Sequence, residues 1–265
     1  KRFSQPYRTA LPVMKPDRLY LDHAATTPVV PAAREAVVDA LERWANPSSP
    51  HGEGRAARAA LEAARGRIGK ALGWDGEILF TSGASEAIAL ALNGFDSVAS
   101  AVEHDAVLAA VGDESRIALD ANGIAQLGKI AKGRRYAIQQ VNNETGVIQP
   151  LAELGAAIRE SGGLLVADCS QGAGKLSLPD ADIIILSAHK LGGPPGLGAL
   201  LVNDLALLRP TGGQEKGYRR GTENLPAVAG LAAALEAGFD WVGEASRLRS
   251  KVDAAIEAAG GTVVA

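Results

Sequence analysis

Leu164-Leu165-Val166-Ala167-Asp168 and Ile183-Ile184-Ile185-Leu186-Ser187-Ala188-His189-Lys190 are two short apolar runs, each ending abruptly in polar residues. Runs of this length and character read as strands buried on both faces. Working outward, Glu77-Ile78-Leu79-Phe80, Tyr136–Val141 and Gly198–Val202 read as strands too. Between them lie helical stretches. One opens at Thr81-Ser82-Gly83-Ala84-Ser85-Glu86 and runs to about Asn93, where Gly94 ends it. Another covers Leu151–Ser161 and stops at Gly162-Gly163. This alternation predicts an α/β domain with a largely parallel sheet. From about Asn224 the chain is rich in Ala, Leu and Glu, predicting helices over Pro226–Phe239 and Trp241–Ala259. Gly260-Gly261-Thr262-Val263-Val264-Ala265 then reads as a turn and the first residues of a strand.

The chain has 265 residues, enough to bury a core without disulfide or metal staples. Glycine (31) and proline (13) stay well below the share that signals disorder. A net charge of −3 argues against nucleic acid or an anionic membrane as a partner bound by bulk charge. The apolar runs are far shorter than the roughly 20 residues of a membrane helix. A single cysteine, Cys169, excludes an internal disulfide framework and fits a reducing, cytoplasmic compartment. Four histidines and that one cysteine, widely spaced, form no metal-ligand pattern, so no metal is expected. The first residue is Lys1 and the only methionine is Met14, so the natural start is expected near Met14, with residues 1–13 an extension.

Polar residues gather where the predicted strands end: Thr81-Ser82, Asn142-Asn143, Asp168, and Ser187 to Lys190. Open α/β sheets bind ligands outside the carboxyl ends of their strands. Lys190 follows a buried strand directly, and a lysine near apolar walls favours its neutral, nucleophilic amine. A lysine at an exposed loop edge is the alternative. Asp168 is placed to pair with a cationic ring nitrogen, or to cap a helix beginning near Gln171. The Thr81–Glu86 segment is either a phosphate site at a helix N-terminus or an ordinary cap. His104, opening a helix at Glu103-His104-Asp105-Ala106-Val107, is placed to stack on a flat ring and move protons, or is structural. Cys169 points opposite to Asp168 if both lie on a strand, so it is read as packing rather than a nucleophile.

Taken in chain order, a series of motifs resembles the cysteine desulfurases, enzymes of the class V aminotransferase group that use pyridoxal phosphate (PLP). They are Tyr20-Leu21-Asp22-His23-Ala24-Ala25-Thr26-Thr27-Pro28, Asn46-Pro47-Ser48-Ser49-Pro50-His51 with Gly54, and Phe80–Glu86. Glu103–Val107, Val141-Asn142-Asn143-Glu144-Thr145-Gly146, Asp168-Cys169-Ser170-Gln171 and Ser187–Lys190 follow. Gly212-Gly213-Gln214-Glu215 through Arg219-Arg220-Gly221-Thr222-Glu223-Asn224 closes the series, which covers about residues 19–240.

The resemblance implies a three-layer α/β/α fold with a mostly parallel mixed sheet, that of the large domain of fold-type I PLP enzymes. Residues 20–236 would form that domain, 1–19 an N-terminal extension and small-domain segment, and 237–265 the start of a C-terminal small domain. Lys190 would carry the cofactor covalently and move protons. His104 would stack on its ring. Asp168 would pair with the ring nitrogen and Gln171 with the phenolic oxygen. Ala84, Ser85, Ser187 and His189 would hold the phosphate, with Thr222 reaching in from the other subunit of a homodimer. Asn143 would contact cofactor and substrate. The implied reaction converts L-cysteine to L-alanine, with sulfur passed to a protein thiol for iron–sulfur cluster or thio-cofactor synthesis by an acceptor or scaffold protein. In the family the attacking cysteine and a substrate-carboxylate arginine lie in a C-terminal part, and this sequence is expected to stop before it. Alternatives are another class V enzyme, such as a selenocysteine lyase or an aminotransferase-like lyase, and a non-catalytic scaffold. A dinucleotide-binding domain is disfavoured because no Gly-x-Gly-x-x-Gly follows a first strand.

Overall fold

The computed structural model describes residues 19–112 and 116–263. The expectations for residues 1–13, Met14 and Val264-Ala265 therefore lie outside the described residues. Eight strands form one sheet: β1 (Glu77–Thr81), β2 (Ser97–Ser100), β3 (Arg116–Leu119), β4 (Ala125–Gln126), β5 (Arg135–Gln139), β6 (Leu164–Asp168), β7 (Ile183–Ser187) and β8 (Gly198–Val202). Their spatial order is β1-β8-β7-β6-β5-β2-β3-β4. Pairs β7–β6, β6–β5, β5–β2 and β2–β3 are parallel; β8 is antiparallel to both β1 and β7, and β4 to β3. It follows that β1, β2, β3, β5, β6 and β7 all point the same way. The carboxyl ends of β1, β2, β5, β6 and β7 therefore share one edge, with the start of β8 among them.

The central strands explain the continuous apolar runs. Every residue of β5, β7 and β8 is buried, because both faces of the sheet are covered. On one face pack α2 (Gly52–Leu72), α5 (Leu151–Glu160) and α6 (Leu225–Glu236), through Leu61, Ile68, Ile158, Val228 and Leu231 against Ile138, Leu165, Ile184 and Leu201. On the other, α3 (Ala84–Leu92) and α4 (Asp105–Val111) supply Ile88, Leu92 and Val107 against Leu79, Val166, Ile183, Ile185 and Leu200. The result is the expected three-layer arrangement. α1 (Pro31–Leu41) packs on α6 rather than on the sheet.

α7 (Trp241–Ala258) has no buried residue and exposes Trp241, Leu248, Val252 and Ile256. Of the strand expected near residue 260, the described residues show a turn at Gly260 and irregular backbone over Gly261–Val263; Val264-Ala265 lie outside them. No single helix among the described residues is long and apolar enough to cross a membrane.

Candidate active site

The shared strand edge encloses a cavity of about 300 Å³, at the lower end of the range for small-molecule sites. Its wall includes Ala84, Ser85, His104, Asn143, Asp168, Gln171, Ser187, His189 and Lys190. They arrive from five strand ends: β1 into α3, β2 into α4, β5 into the 142–146 turn, β6, and β7 into a 3₁₀ turn over Ala188–Lys190. Thr222 is the exception among the expected site residues. It is exposed and lies on a separate groove with Leu41, Trp44, Pro47 and Leu225.

Asp168 ends β6 with its carboxylate facing the cavity, and its Oδ1 accepts from Ser170 N at 2.9 Å. No α-helix starts at Gln171, which excludes the capping alternative. Cys169, the next residue, is fully buried in the opposite hydrophobic layer. Burial, and next to it the negative Asp168, push its thiol well above the ordinary range. Ser170 lines the cavity too, and its buried Oγ has no hydrogen-bond partner among the described residues. An orphaned buried hydroxyl in a cavity wall is a place for a ligand or water.

His104 caps α4: its Nδ1 accepts from Ala106 N at 3.1 Å. In the neutral ring the proton therefore sits on Nε2. At the phosphate-binding turn expected from sequence, Ser82-Gly83-Ala84-Ser85 lines the cavity where α3 begins. β8 starts directly behind it. A Cβ on Gly198 would lie 2.4 Å from the carbonyl carbon of Gly83, so only glycine permits this approach.

Sequence reasoning missed several supports of this site. The Tyr20–Pro28 motif carried no assigned role, yet it latches onto the lysine turn. Thr27 N donates to His189 O at 2.8 Å, Thr27 Oγ1 donates to Lys190 O at 3.1 Å, and His189 Nδ1 meets Thr26 Oγ1 at 3.1 Å. Gln171 Nε2 donates to Ala24 O at 2.8 Å, tying the same motif to the end of β6. Lys175 Nζ donates to Gln171 O (3.0 Å) and Lys190 O (3.3 Å). Burial, and then the charge of Lys190, hold the Lys175 ammonium below the usual lysine range; the same two causes lower His189. Glu103 was missed as well. It is buried, its Oε1 accepts from Ser100 Oγ and from Gln139 N (2.9 Å), and its Oε2 has no partner among the described residues. Burial raises its carboxyl to about 8 against the pull of those hydrogen bonds. Its sequence signal was adjacency to His104. Thr26 had none beyond its motif, and Lys175 had none.

The arrangement gathers an amine, a carboxylate, an imidazole and a helix N-terminus around one cavity. Among the described residues no three His, Cys, Asp or Glu side chains converge as a metal site. The set suits a flat anionic carbonyl compound.

Comparison with known proteins agrees. The family described as aminotransferase class-V matches residues 19–251. A cysteine desulfurase of Cereibacter sphaeroides is 37% identical over 83% of this chain and 65% of its own length. One from Bradyrhizobium diazoefficiens is 40% identical over 82% of this chain and 63% of its own length. The chain thus spans about two thirds of the length of these relatives. Among solved structures, a NifS-like protein superposes with a TM-score of 0.80 at 31% identity, covering 88% of this chain and 74% of that one. A structure titled SspA in complex with cysteine gives 0.75 at 33% identity, covering 83% and 72%. The chain belongs to the class-V aminotransferase family, and its relatives there are cysteine desulfurases.

Proposed function

We propose that this chain is the cofactor-binding part of a PLP-dependent cysteine desulfurase, which takes L-cysteine to L-alanine and passes the sulfur to a protein thiol. The observation that carries the reading is the convergence of Lys190, Asp168 and His104 on one cavity, beside the N-terminus of α3. That donor set fits PLP. The amine would bond the aldehyde carbon, and the carboxylate would keep the ring nitrogen protonated. The imidazole would stack on the ring, and the α3 amides would receive the phosphate. Ser170 Oγ, orphaned in the same wall, supplies a further polar contact for a bound group.

Bound there, PLP supplies an electron sink for a carbanion at the substrate Cα. The protein's residues do the rest. Lys190 would hold the cofactor and would move a proton at the substrate Cα. His104, with Nε2 facing outward from its capped Nδ1, is the second proton carrier. Asn143 and Gln171 orient the ring and substrate from the ends of β5 and β6, and Ser85, Ser187 and His189 fix the phosphate. Cys169 does not accept sulfur, because its thiol is buried and held protonated. The reading assigns the accepting thiol to no residue of this sequence.

A second copy of the chain belongs to the proposal. Thr222 cannot serve its own cavity from the groove it occupies, and that groove is rimmed by Leu41 and by Trp44, 79% exposed. Residues 20–236 form the cofactor domain in this reading, and 237–265 begin a second one. Sulfur delivery to an acceptor for iron–sulfur or thio-cofactor synthesis, in the cytoplasm, completes it.

The test is to load the purified protein with PLP and add L-cysteine. A yellow absorbance on loading, then alanine formation, supports the proposal. A protein that stays colourless and takes up no PLP contradicts it and favours a non-catalytic scaffold.

A further inference from the structure

The phosphate-binding turn has an electrostatic difficulty of its own making. Glu86 lies in the first turn of α3, and its Oε2 accepts from Ser82 N, an amide of the turn itself. Burial pushes this carboxyl up, but the Ser82 hydrogen bonds and Arg219 outweigh it and hold the group below the usual carboxylate range. An ionised carboxylate there repels an incoming anion at the very helix end meant to receive it. Lys190 is the only lysine in the cavity wall as described, and no arginine lines it.

Arg219 answers the difficulty from 133 residues away. Its Nε lies 3.1 and 3.2 Å from the two Glu86 oxygens, and its side chain is only 16% exposed. Its Nη1 donates to Gly221 O at 3.1 Å, next to Thr222. Gly221 N in turn donates to Gln214 Oε1 at 2.9 Å. The guanidinium does not line the cavity. It reaches the turn through Glu86.

We propose that Arg219 is a positioning residue that cancels the Glu86 charge, so that the α3 N-terminus accepts a phosphate monoester, and that it ties this turn to the loop bearing Thr222. The proposal rests on the PLP reading for the identity of the phosphate, but it applies to any phosphate bound at that turn. Removing the arginine leaves an unpaired carboxylate on the turn, bonded to Ser82 N, beside the anion's place. Removing both groups leaves neither, so the two substitutions are strongly non-additive.

The experiment measures the affinity of the full chain for PLP, by absorbance, and for inorganic phosphate, by calorimetry. The chains compared are the parent, R219M, E86Q and E86Q/R219M. The expected result is a loss of about tenfold or more in R219M for both ligands, with E86Q within about twofold of the parent. The double variant should recover most of the loss. At saturating PLP, borohydride should still label Lys190 in R219M. Parent-like affinity in R219M overturns the proposal, and so does a double variant no better than R219M. If R219M fails to fold, the double variant, which buries no unpaired carboxylate, carries the test: affinity near that of E86Q supports the proposal, and a tenfold loss overturns it. A parent that binds phosphate but not PLP sinks the cofactor reading while leaving this comparison measurable with phosphate alone.

Discussion

The strand edge around Asp168 and the loop from Gly212 to Asn224 both carry expected site residues, yet they are held in opposite ways. The edge is set by the core. β5, β7 and the start of β8 are buried throughout, so the positions of Asp168 and Lys190 follow from hydrophobic packing on both faces of the sheet. The loop is set by charge. Glu215 is fully buried and takes Arg65 in a two-pronged pair at 2.8 and 3.0 Å, while also accepting from Phe80 N at 2.8 Å. Arg65 lies over the Phe80 ring at 4.4 Å. Glu215 and Lys216 adopt positive φ, of 46° and 59°, which this anchoring holds in place. The lesson is that packing of one sheet edge gathers the cavity wall, whereas the Thr222 loop is fastened by charge at a separate groove.

The largest expected effect comes from cutting the loop's anchor. Glu215→Ala leaves Arg65 with only Glu62 as a carboxylate partner and should cost about 3 kcal/mol, the lower end for breaking a buried pair, read by urea unfolding. A loss below about 1 kcal/mol would mean the pair is not what holds the loop. Asp168→Ala attacks the edge instead. A hydrogen bond to a charged group is worth about 1.5–3 kcal/mol, so PLP affinity should fall roughly ten- to hundredfold with little change in unfolding midpoint.

Glu103 sharpens the comparison, because it is a buried carboxyl without a guanidinium. Its folded value of about 8 lies above the roughly 4.5 of a free glutamate carboxyl, so the folded state holds a proton the unfolded chain has released. Stability from this group is complete below about pH 4.5 and lost as pH rises through about 8. Glu103→Gln should flatten that decline, and its melting temperature should exceed the parent's above pH 8. Parallel pH profiles for the two proteins would show that Glu103 is ionised throughout. The smallest effect on the single chain belongs to Trp44→Ser at the rim of the Thr222 groove. An exposed substitution shifts stability by no more than about 0.5 kcal/mol, but sedimentation should show weakened self-association.

The same contrast decides what was legible in the sequence. β6, β7 and β8 were readable to within a residue, because strands buried on both faces show as unbroken apolar runs. β2 (Ser97–Ser100) was not, since its two serines interrupt the pattern although all four residues are buried. α1 and α2 went unread. α1 starts with Pro31 and packs on a helix rather than the sheet, and α2 is threaded with arginines, one of them the buried Arg65. The cavity residues were legible because they sit at strand ends and within motifs. What the sequence could not show is how the motifs meet: Thr27 on Lys190 O, Lys175 bridging Gln171 and Lys190, and Arg219 on Glu86 all join residues distant along the chain or hidden within a turn.

Two lysines stand at this site: Lys190 in the cavity wall and Lys175 behind it, with its ammonium on the Lys190 carbonyl. Reducing the PLP-loaded protein with borohydride and mapping the labelled peptide distinguishes them. The account predicts label on Lys190 and its disappearance in Lys190→Ala. Label on Lys175, or none on either, would contradict it.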